Sequence, residues 1–356
     1  RASAKTVINE NDPSDARSLL AYYNREQYPA TDSPFYGAYY SDKFASKHPD
    51  KDDRPKYEKN EKTGKYDIVN NYKGALRGSS DEHKGWLPRM WSEQNTENYM
   101  RYYGPLDFTI KREFRSNEDL QEAVQTVRQK LARGEIDADG YIEFLTDVGD
   151  YIDVQPPTLG QNIEYMVHFQ FGYMYWRYFM WNFTGRQNDE QGRFDDNGEW
   201  LSGISAIDGL RLGSQENLPN EVLQNKGRNT YYFLPLLLGL IGLVFQFKKD
   251  WKQFWVLFVF FLFTGLAIQF YTNPPIFQPR ERDYSLVGSF YIFAIWIGFG
   301  VYGLFEMLKK YIRPQIALPA VLLVCLLSVP LLMAQQNWDD HDRSNRYTTH
   351  LNAQAY

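Results

Sequence analysis

The stretch Asn273-Pro274-Pro275-Ile276-Phe277-Gln278-Pro279-Arg280-Glu281-Arg282-Asp283-Tyr284 carries the residue types in this chain best suited to chemistry. Three prolines and no glycine make it stiff. A stiff loop holds planar guanidinium groups at fixed positions, the condition for two-pronged recognition of a phosphate or carboxylate. Arg280 and Arg282 are the candidates for that contact, with Glu281 and Asp283 orienting them and Tyr284 beside them. A plainer reading stands alongside: the two arginines and two acids form an ion-paired cap on a helix hairpin, because most exposed ion pairs contribute little. Arg177, Arg186 and Asp189, at the exit of an aromatic belt, form a second group of candidate substrate-binding residues.

Other motifs carry less. Glu135-Ile136-Asp137-Ala138-Asp139-Gly140-Tyr141-Ile142 begins like a calcium loop, but the bidentate acid required at its twelfth position is replaced by Thr146. A helix end followed by an acidic turn explains it better. Asp195-Asp196-Asn197-Gly198 has turn chemistry. The five histidines show neither i,i+4 pairing nor a neighbouring cysteine, so no metal site is expected. No glycine-rich phosphate loop or nucleophile elbow is present. Asn182-Phe183-Thr184 fits the glycosylation pattern but sits where a glycan fits badly.

The elements that must position these residues fall into two materials. From Tyr231 onward come four apolar runs, Tyr231–Phe247, Phe254–Tyr271, Leu286–Leu308 and Ile316–Ala334, each of 17–23 residues. An α-helix needs about 20 residues to cross roughly 30 Å of hydrocarbon. Four membrane crossings are therefore expected. The loops Lys248–Lys252 and Lys309–Pro314 are net basic and short, which places them on the cytoplasmic side. The arginine loop and the acidic tail Asn337-Trp338-Asp339-Asp340-His341-Asp342 then face outward, and Trp251, Trp255, Tyr271, Tyr311 and Trp338 stand near the run ends as interfacial anchors.

Before the runs lie about 230 polar, aromatic-rich residues. Asp12-Pro13-Ser14-Asp15 and Ser116-Asn117-Glu118-Asp119 are helix starts, the latter opening an amphipathic stretch with Leu120, Val124, Val127 and Leu131 on one face and Gly134 at its close. Asp42–Asn71, charged and poor in apolar residues, reads as a loop. Ile163–Phe183 is long enough to span, yet contains Glu164, His168, Gln170 and Arg177. That polar content favours an interfacial or re-entrant helix, or one packed against membrane helices, over a crossing. A crossing would move residues 1–162 to the cytoplasm. The expected architecture is a mainly α polytopic membrane protein. Residues 1–162 form a helix-and-loop extramembrane region, 163–183 the aromatic helix, 184–230 an outer loop, 231–334 the four-helix region, and 335–356 the start of a further outer segment.

Composition excludes some classes. A net charge of −5, with no Lys/Arg block longer than two residues, offers no surface for nucleic acid. The single cysteine, Cys325, cannot form a disulfide within the chain. A mean hydropathy of −0.54 averages two unlike halves. Arg1 is not a start methionine and no signal peptide precedes the polar region, so the chain reads as the interior of a longer protein.

Several blocks, in order, carry a resemblance: Asn24-Arg25-Glu26-Gln27-Tyr28, Tyr36-Gly37-Ala38-Tyr39-Tyr40, Tyr173–Phe183, Gly185-Arg186-Gln187-Asn188-Asp189, Leu212–Asn217 and Gln278–Tyr284. Together they resemble the bacterial branch of the transmembrane protein O-mannosyltransferase family, over essentially the whole chain. The resemblance implies a GT-C-like membrane glycosyltransferase of the bacterial inner membrane. Such an enzyme transfers sugar from a polyprenyl-phosphate donor to a protein hydroxyl on the outer face, with residues 1–230 periplasmic. Its partners would be the lipid bilayer, the lipid-linked sugar and a protein acceptor. In that superfamily the catalytic acid sits in the first outer loop, which this chain lacks, so the base is expected upstream. Such a donor needs cationic stabilisation of a departing phosphate and a carboxylate base for the acceptor. The rival from another class is a non-enzymatic scaffold docking an envelope partner. A transporter fits less well, because the runs lack polar residues at mid-membrane.

Overall fold

The computed structural model describes residues 16–24, 33–45, 48–76, 78–89, 96–192, 196–274 and 282–342. The chain is mainly helical and divides into two compact units after Ile163.

In the first unit, α1 (Ala16–Tyr23), α2 (Thr96–Tyr103), α3 (Glu118–Ala132) and α4 (Ala138–Asp147) are interspersed with short strands that form two-stranded antiparallel sheets. Strands β1 (Tyr36–Ala38), β2 (Lys56–Lys59), β3 (Tyr66–Asn70), β4 (Lys84–Trp86), β5 (Phe108–Ile110) and β6 (Ile152–Val154) pair as β1–β4, β2–β3 and β5–β6. The start expected at Asp12–Asp15 lies outside the described residues. The second start is shifted by one: Asn117, not Ser116, is the N-cap of α3, its side chain accepting from the Leu120 amide at 3.1 Å. Leu120 and Val124 then enter the core, and Gly134 ends the turn at φ +69°. Asp137, the third position of the calcium-like motif, caps α4 by accepting from the Gly140 amide at 2.9 Å.

The charged stretch Asp42–Asn71 is not all loop. Its second half is the exposed β2–β3 hairpin, with register Tyr57↔Ile68 and Glu58↔Asp67. Asn60 makes the turn, its Oδ1 accepting from the Lys62 amide and its Nδ2 donating to Asp67, while Gly64 takes φ +69°. Local Asx chemistry sets the turn there, and the hairpin forms without a buried face, Tyr57, Tyr66 and Ile68 all being exposed. The core of this unit joins Tyr99 and Met100 of α2, Tyr141 and Leu145 of α4, and Ile152 and Val154 of β6. Tyr141 donates its hydroxyl to the Leu106 carbonyl at 2.7 Å, and burial pushes that hydroxyl's pKa up to about 12.

The division falls within α5 (Leu159–Tyr165). It continues as a π-helical stretch, Met166–Arg177, and then as α6 (Tyr178–Phe183). The aromatic belt packs against the long helices, one of the arrangements expected for it. Phe169, Tyr175, Phe179, Trp181 and Phe183 are buried, and Phe179 and Phe183 pack on Phe293 with ring centroids 4.8 and 4.5 Å apart. Of the polar residues that argued for the surface, Glu164 and His168 are exposed, whereas Gln170 and Arg177 are buried, Gln170 donating to Asn273 at 2.7 Å; the Tyr175 hydroxyl also meets Ser289 at 2.5 Å.

After α7 (Ser205–Leu212) and α8 (Asn220–Leu223) come the long helices. They are α9 (Leu234–Lys249), α10 (Trp251–Leu262), α11 (Ile268–Thr272), α12 (Asp283–Leu308), α13 (Pro314–Leu326) and α14 (Leu332–His341). Short π-helical turns join α10 to α11 and α13 to α14. Among the described residues three helical spans are long and apolar enough to cross a membrane: Trp251–Thr272, Asp283–Leu308 and Pro314–His341. The first expected run folds as α9, whose 16 residues cover only about 24 Å at 1.5 Å per residue. It packs against α12 through glycines. A Cβ on Gly242 would strike the Trp296 carbonyl, and one on Gly300 the Leu238 carbonyl. The Trp296 indole donates to Gln246 at 2.7 Å across the same contact.

Candidate functional site

One end of the helical unit collects residues from far apart in the sequence. There α6 ends, α9 and α12 begin, and α14 ends. The opposite ends of α9 and α12 carry Lys248, Lys249, Lys309 and Lys310. The first end is finished by β7 (Gly185–Arg186) and β8 (Asn229–Thr230), paired antiparallel with Arg186↔Asn229. Gly185 sits at φ +123°, and a Cβ there would strike the Asn229 and Leu201 carbonyls, so close approach requires glycine.

These elements enclose a cavity of about 420 Å³, within the roughly 300–1,000 Å³ usual for small-molecule sites. Arg186 lines it, with Nε donating to the Gly227 carbonyl at 2.9 Å and Nη2 to Asp340 Oδ2 at 2.9 Å. Its Nη1 has no hydrogen-bond partner among the described residues. Asn229 donates to Asn337 Oδ1 at 2.9 Å, and Asn337 donates to the Tyr231 hydroxyl at 2.6 Å. Asn182 donates to the Tyr178 carbonyl at 2.8 Å. Asp283, the first residue of α12, lines the cavity with Val287, Phe290 and Met333. The lining thus mixes amides, a carboxylate and a guanidinium with apolar side chains. Amide groups both donate and accept, matching hydroxyl-rich ligands, while a guanidinium suits a phosphate.

The expected site residues separate here. Arg186 and Asp283 meet in the cavity. Arg177 does not line it: only 3 % exposed, it donates to the Tyr173 carbonyl at 3.2 Å and the Gly198 carbonyl at 2.6 Å, between the rings of Tyr173 and Trp181. That makes Arg177 a brace between the helix and the loop that follows it. Asp189 is exposed and outside the cavity lining, as are Arg282 and Tyr284. Arg280 and Glu281 lie outside the described residues.

Sequence reasoning missed Asn182, Asn229, Tyr231 and Asn337, which belong to separate segments and carry no shared spacing. It also missed the anchoring of the 184–230 loop. Arg211 donates to Glu199 Oε2 at 2.7 Å and lies 3.7 Å over the Trp200 ring. Burial pushes the Glu199 carboxyl up, against the pull of Arg211 and Arg177. Among the described residues no group of three or more His, Cys, Asp or Glu side chains is placed to hold a metal ion.

Residues 30–167 match the model of a family of unknown function (DUF8416), a stretch covering less than half of the chain. No curated protein and no solved structure matches the chain.

Proposed function

We propose that this chain is a segment of a membrane glycosyltransferase that uses a polyprenyl-phosphate sugar, and that the cavity between Arg186 and Asp283 receives the polar head of that donor. The observation that carries the reading is the cavity's mixed lining. Arg186, Asn182, Asn229 and Asn337 line it together with Val287, Phe290 and Met333, at the end of helices apolar enough to cross a membrane. A lipid-linked sugar has the same mixed character. The guanidinium of Arg186 would take the phosphate, the amides the sugar hydroxyls, and the apolar side chains the first part of the lipid chain. Asp283 would orient a sugar hydroxyl. The resemblance to the O-mannosyltransferase family supports the choice of donor and of a protein hydroxyl as acceptor, with the catalytic base supplied by a part of the enzyme outside this chain.

In this reading α9 is a fourth crossing. Its 16 residues are accommodated by its packing on α12 and by modest local thinning of the bilayer. The cavity end then faces the periplasm of a bacterial inner membrane and the lysine-bearing ends face the cytoplasm, as short basic loops do.

The test is sugar transfer by the intact enzyme, measured per unit of folded protein. A charge-assisted hydrogen bond contributes about 1.5–3 kcal/mol, so Arg186→Ala should lower transfer roughly ten- to a hundredfold. Arg280→Ala and Arg282→Ala test the neighbouring loop in the same way, and lysine should restore only part of the activity because it lacks the fork. A scaffold predicts no transfer in the unaltered protein.

A further inference from the structure

We propose that α7 lies in the headgroup layer of the membrane, on the cavity side, with Ile204, Ile207 and Leu210 turned toward lipid. The helix is built inside out. Its acid, Asp208, is 1 % exposed and accepts from the Ser202 amide at 2.9 Å, the Ser202 hydroxyl at 2.9 Å and the Gly203 amide at 2.7 Å. Its base, Arg211, is turned inward onto Glu199 and the Trp200 ring. The apolar residues spaced i, i+3 and i+6 face outward instead: Ile204 is 37 %, Ile207 39 % and Leu210 93 % exposed. A surface helix in water arranges these faces the other way round.

The position of α7 identifies what covers this face. The Tyr232 amide donates to the Ser202 carbonyl at 3.0 Å, two residues before α9 begins at Leu234. Gly203, at φ +85°, is packed so closely on Thr230 and Tyr232 that a Cβ would meet both. The segment leading into α7 is therefore fixed beside the segment leading into α9, whose Leu237 and Leu240 are themselves exposed, 52 % and 44 %. That puts the start of α7 at the level where the bundle ends, where an apolar face belongs against lipid. Amphipathic helices at that depth bury their apolar side just below the headgroups. The inference needs the helical unit to sit in a membrane and is independent of sugar transfer.

The experiment uses the full chain in phosphatidylcholine vesicles, with Cys325→Ser removing the native thiol. An environment-sensitive fluorophore is attached at Leu210→Cys, and in a separate protein at Glu221→Cys on the exposed side of α8. Nitroxides are carried by the lipid either near the headgroup or near the acyl-chain end. The expected result is blue-shifted emission at position 210, quenched strongly by the shallow nitroxide and weakly by the deep one, with water-like emission at 221. Water-like emission at 210 would overturn the proposal. So would blue-shifted emission that neither nitroxide quenches, which means protein covers the face, or quenching mainly by the deep nitroxide, which means the segment is inserted.

Discussion

Arg186 and Asp340 are 154 positions apart and meet at 2.9 Å, with side chains only 19 % and 25 % exposed. Their contact joins β7 to the end of α14. With the Asn229–Asn337 hydrogen bond it closes one wall of the cavity. A partly exposed pair of this kind contributes about 1 kcal/mol, so in thermal unfolding Arg186→Ala and Asp340→Asn should each destabilise modestly. The double variant should cost less than the two single changes added together, because contacting residues couple. Strict additivity would show that the pair does not hold the wall.

The glycine seam between α9 and α12 makes a sharper prediction. Gly242→Leu must push the two helices apart, because even a Cβ there meets the Trp296 carbonyl. Overpacking costs about 1–3 kcal/mol or more, so the monodisperse yield in detergent should fall steeply. Gly298 on the same α12 has open space around its Cα. Gly298→Ala should be neutral or stabilising by up to about 1 kcal/mol, through helix propensity. Equal tolerance of both changes would refute the close α9–α12 contact.

In the first unit, His83 is 6 % exposed and its Nδ1 lies 2.8 Å from the Ser41 hydroxyl. Burial lowers its pKa, against the opposing pull of Asp42, Glu82 and Asp153. The unfolded chain therefore takes up this proton first, starting near pH 6.5. The stability tied to neutral His83 is complete above that pH and is lost as pH falls through the lower folded value. The gap in melting temperature between pH 7.5 and pH 5 should be smaller in His83→Gln than in the unaltered protein. An equal gap in both proteins would remove His83 as the cause.

Orientation in the membrane is open to thiol labelling in a background free of Cys325. Cysteines at Lys249 and Gln315 should react only from the cytoplasm, and cysteines at Asp342 and Asn60 only from outside. Outside labelling at Gln315 would end the four-crossing reading. Cytoplasmic labelling at Asn60 would mean that Ile163–Phe183 crosses.

Particular residues show why parts of this fold were legible in the sequence and others were not. The spans Trp251–Thr272, Asp283–Leu308 and Pro314–His341 announce themselves, because uninterrupted apolar length is a local property. The α3 cap is equally local, misplaced by one residue, whereas the acidic turn after α3 was legible but the start of α4 at Asp137 was not. The burial of the aromatic helix was only one of the alternatives the sequence left open. Gln170 and Arg177 look like surface residues until Asn273 and the Gly198 carbonyl, 103 and 21 positions away, are seen to satisfy them. The β2–β3 hairpin was hidden because its apolar residues, among them Tyr57, Tyr66 and Ile68, are set among charges and stay exposed. The cavity was the least legible feature. It is assembled from α6, the β7–β8 pair, the start of α12 and the end of α14, and among the described residues Arg186 and Asp283 are the expected ones that enter it.

The most direct measurement of the central claim is binding of a polyprenyl-phosphate hexose to this chain in nanodiscs, read by photo-crosslinking with competition by unlabelled ligand. Crosslinks should map to the segments around Asn182, Arg186 and Val287. Arg186→Ala and Asn182→Leu should each weaken binding about tenfold or more, the equivalent of roughly 1.4 kcal/mol. Asp189→Ala, exposed and outside the cavity lining, should bind as the unaltered chain does. Crosslinks elsewhere, or full affinity in both cavity variants, would contradict the assignment of the cavity to the lipid-linked sugar.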